Sequence, residues 1–549
     1  MLRLNEIKLP LNHQETDIAA AIINTLGINK DDLLDFSVYK RSFDARKKTN
    51  ILLIYQLDVT LEKTLESNIL DKFSGQSFVR PSPDTSYKFV APSVSDFPTA
   101  DQQRPIIIGF GPSGILAALV LAQMGLKPIV LERGQDVRQR TQDTWALWRD
   151  GKLNTESNVQ FGEGGAGTFS DGKLYSQVKD KNHLGRKVLT EFVKAGAPKE
   201  ILSISKPHIG TFKLVKMVQT MRAEIVSLGG EIRFNSKVDI IHRGASNDNE
   251  SAQITGITLS NGESLNTRHI ILAIGHSARD SFQMLLDQGV YIEAKPFSIG
   301  FRIEHPQSVI DKARFGAEAG NPILGAADYK LVHHCPNGRS VYSFCMCPGG
   351  QVVAATSEEG AVVTNGMSQY SRQERNANAA IVVGIDPQQD YPEHVFAGID
   401  LQRKLEKLAY TLGGSSYHAP AQLVGDFLNN KPSTELASVT PSYQPGVTLG
   451  DLSKALPEFA ITAIREAIPA FDKKIKGFAM ADAILTGVET RTSSPICIKR
   501  GKDMQSINTM GLYPTGEGAG YAGGILSAGI DGIKAAEAVA LDILKTEKE

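Results

Sequence analysis

The segment Pro105–Gly114, PIIIGFGPSG, constrains this chain more than any other. A short apolar strand runs into three glycines at GxGxxG spacing, Gly109, Gly111 and Gly114, and directly on into an apolar helix, with Pro112 and Ser113 at its start. Gly109 permits the sharp turn, Gly111 lets the backbone approach a pyrophosphate, and Gly114 lets helix and strand pack closely. The helix N-terminus then turns its free N–H groups and positive dipole end toward a diphosphate. A second strand, Pro128–Leu131, ends at Glu132, eighteen residues past Gly114, where a carboxylate accepts hydrogen bonds from ribose hydroxyls. A glycine triplet alone says little. Strand, turn, helix, strand and acid in this order read as a dinucleotide-binding βαβ unit.

The rest of the chain arranges itself around that unit. Residues 1–75 predict a small α+β domain, with strands at Arg3–Leu9, Leu34–Arg41 and Ile51–Val59 and helices at Glu15–Leu26 and Leu61–Phe73. Residues 76–104, punctuated by Pro81, Pro83, Pro92 and Pro98, predict a connector. The nucleotide-binding domain follows over 105–294. In it, Asn261–Gly262 closes a hairpin whose second arm continues into HIILAIGHSA, a strand returning to the nucleotide sheet with Gly275 at the turn beyond it. Residues 295–443 predict a β-rich substrate domain inserted into it, with strands at Ser298–Ile303, Lys330–Cys335, Val341–Cys347, Gln351–Thr356 and Ala361–Thr364, and 444–549 complete the nucleotide-binding domain. The expected class is α/β, with a discontinuous Rossmann-like domain.

Composition removes several functions. With 59 basic and 60 acidic residues the net charge is −1, so there is no bulk field for nucleic acid or anionic membranes. Four cysteines in 549 residues cannot form a disulfide framework. The first residues, MLRLNEIKLPLNHQETD, contain no continuous apolar core of a secretory signal, and the apolar run Ile115–Ala122 is far short of a membrane span. A soluble cytoplasmic protein is expected. The basic cluster Lys40, Arg41, Arg46, Lys47 and Lys48 reads as a solvated hairpin end, with an RNA-binding arm as the alternative.

Near the C-terminus, Ile507–Tyr513 leads into PTGEGAGYAGGILSAG. Glycines allow a flat ligand to approach the backbone, Glu517 can bind a sugar-like hydroxyl, and a helix starting near Ile525 aims its N-terminus at a carbonyl that becomes anionic on reduction. With GFGPSG and Glu132–Arg133–Gly134, FGEGGAGTFSDGKL at 161–174, LAIGHSARD at 272–280, ETRTSSP at 489–495 and GEGAGYAGGI at 516–525, the chain resembles FAD-dependent oxidoreductases with a glutathione-reductase-like FAD domain. It looks most like the bacterial family of uncharacterised FAD-dependent dehydrogenases, and is similar also to geranylgeranyl reductases. The resemblance implies a discontinuous Rossmann-like FAD-binding domain and hydride transfer between flavin and a small-molecule substrate. It implies further that Gly109–Gly114, Glu132 and Arg133 hold the ADP half and that Glu517, Gly523, Gly524 and Ile525 hold the flavin half. Gly164, Gly165 and Gly167 form a second glycine wall, with Thr168, Ser170 and Lys173 as donors. The chain departs from the family in carrying Glu517 where Asp is usual. No second GxGxxG follows a strand, so a nicotinamide donor, NAD(P)H, is expected to bind transiently in the substrate cleft. The absence of a CxxC pair argues against the disulfide-reductase branch.

In the substrate domain, His333, His334, Cys335, Cys345 and Cys347 invite a metal reading. A two-residue turn at Asn337–Gly338 sets Cys335 opposite Ser340 and His334 opposite Val341, leaving His334 about 13 Å from Cys345. Zinc ligands must lie within about 2.3 Å of one point, so no metal is expected. Cys345 and Cys347 either pack as small hydrophobes or border a pocket, and Arg491 either makes a surface ion pair or anchors an anionic substrate or the flavin. No catalytic residue is assigned. Proton-donor candidates are His276, His333, His334 and Tyr521.

Overall fold

The computed structural model describes residues 1–99, 102–176, 178–244 and 252–545. The N-terminal sheet orders its antiparallel strands as Asp35–Asp44, Leu52–Thr60, Leu2–Pro10 and Val79–Pro81. Strict alternation turns Leu53, Tyr55, Leu57 and Val59 inward. There they meet Ile18, Ile22 and Leu26 of the helix Glu15–Leu26 and Ile69 of the helix Lys63–Lys72. The stretch read as a connector is irregular but not free. It supplies the fourth strand of this sheet, buries Ala91 and Phe97 among the nucleotide-domain helices, and donates the Tyr87 hydroxyl to Glu537 at 2.9 Å.

The nucleotide sheet is all parallel, in the order Leu512–Pro514, Ile270–Leu272, Ile106–Ile108, Ile129–Leu131 and Glu231–Arg233. Its strands are short and fully apolar at the centre because both faces are covered. On one face lies the helix Pro112–Gln123, buried on every side and so apolar on every side. The helix Ile525–Lys545 packs against it so closely that a Cβ at Gly532 would fall 2.1 Å from the Ser113 carbonyl oxygen. On the other face sits a smaller sheet of Val238–Arg243, Ala252–Leu259, Ser264–Asn266 and Thr509–Met510. The turn at Asn261–Gly262 closes its hairpin as the sequence predicts.

An eight-stranded sheet forms the third layer. Its order is Val332–His334, Ser340–Ala354, Asn376–Ile385, Phe297–Pro306, Ile484–Glu489, Ala419–Leu423 and Val447–Leu449, with Thr364–Ser368 beside the long second strand. The strands at 447–449 and 484–489 belong to it, and the helix Glu458–Asp472 packs on it. The inserted unit therefore runs through Glu489 and does not end at Tyr443. Two further expectations change. Runs 341–347 and 351–356 fuse into one strand, because Pro348 and the following glycines form bulges, not a turn. Residues Ala361–Val363 precede the strand expected there, which begins at Thr364.

The hairpin 332–342 has the register His333 opposite Val341 and His334 opposite Ser340, one residue away from expectation. Cys335 and Arg339 close a three-residue loop through the Cys335 N–H on the Arg339 oxygen at 2.8 Å, with Gly338 at φ 81°. A one-residue slip exchanges faces, so His333, not His334, shares the face of Val341 and Ser343. Among the described residues no helix is long and apolar enough to cross a membrane.

Candidate functional site

A cavity of about 1040 Å³ opens between the carboxyl ends of the parallel strands and the eight-stranded sheet. That is the upper end of the size range of cofactor pockets, about 300–1,000 Å³, and the carboxyl ends of such strands are where open α/β sheets bind ligands. Of the residues singled out in the sequence, Gly109, Gly111, Pro112, Ser113, Glu132, Arg133, Gly165, Gly167, Ser170, Lys173, Gly275, Cys345, Arg491, Glu517, Gly523, Gly524 and Ile525 line it. His276 and Tyr521 line it too. Stretches hundreds of residues apart meet here.

The glycines divide into two kinds. A Cβ at Gly114 would lie 2.0 Å from the Gly109 oxygen, and one at Gly109 only 2.4 Å from the Ala273 oxygen, so these two serve packing within the sheet and its first helix. Gly114 does not face the cavity. By contrast, a Cβ at Gly523 or Gly524 meets nothing within 4 Å, and one at Gly111 meets only the Gly165 Cα at 3.6 Å. Side chains at these three positions would project into the cavity itself, so they form a cradle that suits a flat cofactor lying against the backbone. The helix behind Gly111 has no side-chain cap. Its first turn therefore remains available to an anion.

Glu132 is buried and accepts three backbone N–H groups, from Phe110 at 2.8 Å, Gly134 at 2.9 Å and Gly162 at 2.9 Å. They fix its carboxylate at the cavity wall and leave further lone pairs for a hydroxyl donor. Thr515 and Gly516 both donate to Asp531, at 2.9 and 2.8 Å, and Thr515 also meets Ser113 at 3.1 Å. Asp531, which the sequence reading missed, thereby pins the C-terminal glycine turn to the first helix. Glu517 stands 3.5 Å from His276 Nδ1, while His276 Nε2 is buried without a partner. An orphaned ring nitrogen beside an open cradle fits a polar ligand in the cavity.

Other assignments change. The Arg133 guanidinium is engaged by Glu156 at 2.8 and 2.9 Å and by Asp280 at 2.8 and 2.9 Å, so it orders the wall and leaves little for a phosphate. Gly164 and Thr168 lie outside the cavity. Gly164 N–H donates to the Phe110 oxygen at 2.8 Å, and the Thr168 hydroxyl caps the Glu163 carbonyl at 3.3 Å. The Ser170 hydroxyl donates to the Gly167 carbonyl at 2.7 Å. Lys173 turns away from any phosphate role toward Asp171 at 3.5 Å and Cys347 at 3.9 Å. Cys347 is buried behind the wall, and only Cys345 reaches the cavity.

Arg491 is neither a surface ion pair nor a free anchor. It is buried, held by Glu406 at 2.9 and 3.1 Å and by Ser277 and Ser357 at 3.1 and 2.7 Å. Glu406 also binds Arg279 at 2.8 and 3.0 Å. Burial alone would raise the Glu406 carboxyl, but Arg279 and Arg491 together hold it well below the usual carboxylate range. A further acid that the sequence pattern does not single out is Glu489, the first residue of the ETRTSSP block. It lines the cavity beside Arg302 at 3.3 Å, and burial pushes its carboxyl up to about 7 against the pull of that guanidinium.

Two expected proton donors lie elsewhere. His333 pairs with Glu466 at 2.7 Å and His334 with Ser340 at 2.8 Å, both on the outer hairpin. Glu466, from a helix distant in sequence, stands with His333 and Cys335 with ligand atoms within 4.8 Å of one another. Of the basic cluster, Lys40 and Arg41 lie in the strand Asp35–Asp44 and Arg46, Lys47 and Lys48 in the loop after it; Arg46 is paired with Asp44, and Arg41 bridges through its backbone to Ser203 and Ser205.

Comparison with known proteins agrees with this picture. Residues 296–492 match the family model described as "FAD-dependent protein, C-terminal domain-like", and residues 1–60 match a domain of unknown function, DUF8436. Among solved structures, the halogenase PltM is 14% identical, over 82% of this chain and 70% of that one, at a TM-score of 0.37. The L-amino acid deaminase from Proteus myxofaciens, in complex with anthranilate, is 12% identical over 83% and 93%, at 0.34. Both likenesses are too loose to bear on the chemistry. An uncharacterised protein of Clostridium beijerinckii is 47% identical over 541 residues, 98% of each chain. The chain therefore belongs to the family of that Clostridium beijerinckii protein.

Proposed function

We propose that the cavity holds FAD in an extended form and that the protein is an FAD-dependent oxidoreductase acting on a small molecule. The observation that carries this reading is the convergence of Gly111, Glu132 and the Gly523–Gly524 turn, from opposite ends of the chain, on one cavity with room at each glycine for a cofactor and for nothing of the protein's own. FAD bound there would supply two-electron hydride chemistry. Glu132, already oriented by three N–H groups, would receive the ribose hydroxyls of the ADP half, and the first turn behind Gly111 would face the diphosphate. Glu517 would meet the ribityl chain. The N-terminus of the helix Ile525–Lys545 would stabilise charge developing on the reduced ring.

The remaining wall supports acid–base work. Glu489 holds or releases a proton near neutrality, and His276 offers an unpartnered ring nitrogen. The resemblance to bacterial FAD-dependent dehydrogenases and geranylgeranyl reductases supports hydride transfer to or from carbon as the reaction class. With no second nucleotide unit in the sequence, NAD(P)H would reach the flavin only through the substrate side of the cavity.

The test is direct. Purified protein should be yellow, with an oxidised-flavin spectrum, and Glu132→Ala should lower FAD affinity by tenfold or more, about 1.4 kcal/mol. Colourless protein that refuses FAD on reconstitution would overturn the reading.

A further inference from the structure

The strand Ser340–Ala354 breaks register twice, between Phe344 and Cys347 and between Cys347 and Gly350. At the first break Cys345 takes a left-handed backbone, φ 43°, which a residue with a Cβ rarely adopts. Bulges of this kind re-aim side chains beside active sites. Here the bulge brings Cys345 to the cavity wall, half-buried, while Cys347 is sealed just behind it. The Cys347 thiol donates to the Cys345 carbonyl at 3.3 Å, which sets the two cysteines side by side.

Two cations converge on this pair from other elements. Lys173, from the glycine-rich wall, lies 3.9 Å from Cys347 Sγ. Arg302, wholly buried, donates to the Cys345 carbonyl at 2.7 Å and stands 4.0 Å from Cys347 Sγ. The other groups facing the pair are Asp171, Glu489, Arg372 and Tyr329. The neighbouring Cys347 thiol, aided by Lys173 and Arg302 and opposed by burial and Asp171, brings the Cys345 thiol down to about 5. Cys347 itself is pushed up by its neighbour and by burial, so Cys345 is the member of the pair that ionises first. Cysteines kept only for packing are inert and apolar in their surroundings, and two buried cations against Cys347 would then cost stability.

We propose that Cys345 and Cys347 are a dithiol–disulfide pair in the cavity wall that exchanges two electrons with the bound flavin. The proposal rests on the flavin reading above. In the oxidising direction the Cys345 thiolate and the Cys347 thiol join in an S–S bond, and the Cys347 S–H bond breaks. The two electrons and that single proton pass to oxidised FAD, giving the anionic reduced flavin FADH⁻. One negative charge and one proton stand on each side, so no additional base or oxidant enters. In the reverse direction the reduced flavin returns them and opens the disulfide, placing a nucleophilic thiolate in the cavity. Lys173 acts as the positioning residue that keeps Cys345 ionised.

The experiment uses the holoprotein after oxidation with diamide and removal of excess reagent. Peptide mass mapping should find Cys345 and Cys347 joined, lighter by two hydrogens, and restored by dithiothreitol. Anaerobic titration with dithionite should consume two equivalents per flavin in the wild type and one in either Cys345→Ser or Cys347→Ser, each of which retains bound flavin. Lys173→Met should raise the pH at which iodoacetamide labels Cys345. Yellow protein whose two thiols remain open to alkylation after diamide, with one dithionite equivalent per flavin, overturns the pair while leaving the flavin reading intact. Protein that binds no FAD overturns the flavin reading and with it the electron exchange.

Discussion

At the scale of single residues, the cavity wall separates groups that position from groups that titrate. Glu132 accepts three N–H groups and is fixed as an acceptor. Glu489 is the acid whose carboxyl, pushed up by burial to about 7, changes charge in the working range. Because its folded value is raised, the protonated form favours folding. That contribution is complete below the ordinary carboxylate range and is lost as pH rises through about 7. Glu489→Gln should therefore gain stability relative to the wild type as pH rises from about 4.5 to about 7 and keep that gain above it, read by urea unfolding at each pH. The same variant should flatten an inflection near pH 7 in the rate of anaerobic flavin reduction. A pH profile identical to that of the wild type would remove Glu489 from proton transfer. The same sequence block displays Arg491, whose guanidinium is engaged by Glu406. Charge type was legible there, but partner identity was not, since Glu406 lies 85 residues away.

At the scale of elements, what the sequence displays clearly is local. The strand–glycine–helix unit, the second strand ending at Glu132 and the Asn261–Gly262 hairpin each depend on neighbours within a few tens of residues, and they form as expected. The long strand 340–354 was opaque because CPGG at 347–350 has the chemistry of a turn. The fold holds it in a sheet by surrounding it with neighbours instead, so closely that a Cβ at Gly349 would lie 1.8 Å from the Arg372 oxygen. The outer hairpin slipped by one residue for a related reason, a three-residue loop where Asn–Gly suggests two. The two classes of glycine give a paired prediction. Gly114→Ala drives a methyl into the Gly109 carbonyl and should lower stability by about 1–3 kcal/mol. Gly523→Ala places a methyl where no protein atom lies within 4 Å and at a backbone outside the left-handed region, so its melting temperature in the apo form should match the wild type while FAD affinity falls at least tenfold. Equal affinity in the two proteins would mean that the cradle lies elsewhere.

At the scale of the whole molecule, the site exists only because remote segments are locked together, and one buried ion-pair cluster does much of that locking. Arg279 follows the returning strand of the nucleotide sheet, Glu406 lies on the helix Ala397–Leu412 of the inserted unit, and Arg491 stands where the chain leaves that unit. Composition cannot reveal such a cluster, since its members are spaced over more than 200 residues and look like ordinary surface charges. Removing the shared acid leaves two buried guanidiniums without their counter-charge. Glu406→Gln should therefore cost about 3–5 kcal/mol of unfolding free energy and loosen Arg491 at the cavity wall. The sign of its pH dependence follows from the same geometry. Glu406 is held below the usual carboxylate range when folded, so below that range the unfolded chain binds the additional proton. Its stabilisation is complete above the unfolded value and is lost as pH falls toward the folded one. The gap in stability between wild type and Glu406→Gln should accordingly be widest near neutrality and narrow as pH drops below about 4.5, read by urea unfolding at each pH. A gap independent of pH would show that the variant acts through packing and not through the charge that ties the three segments into one cavity.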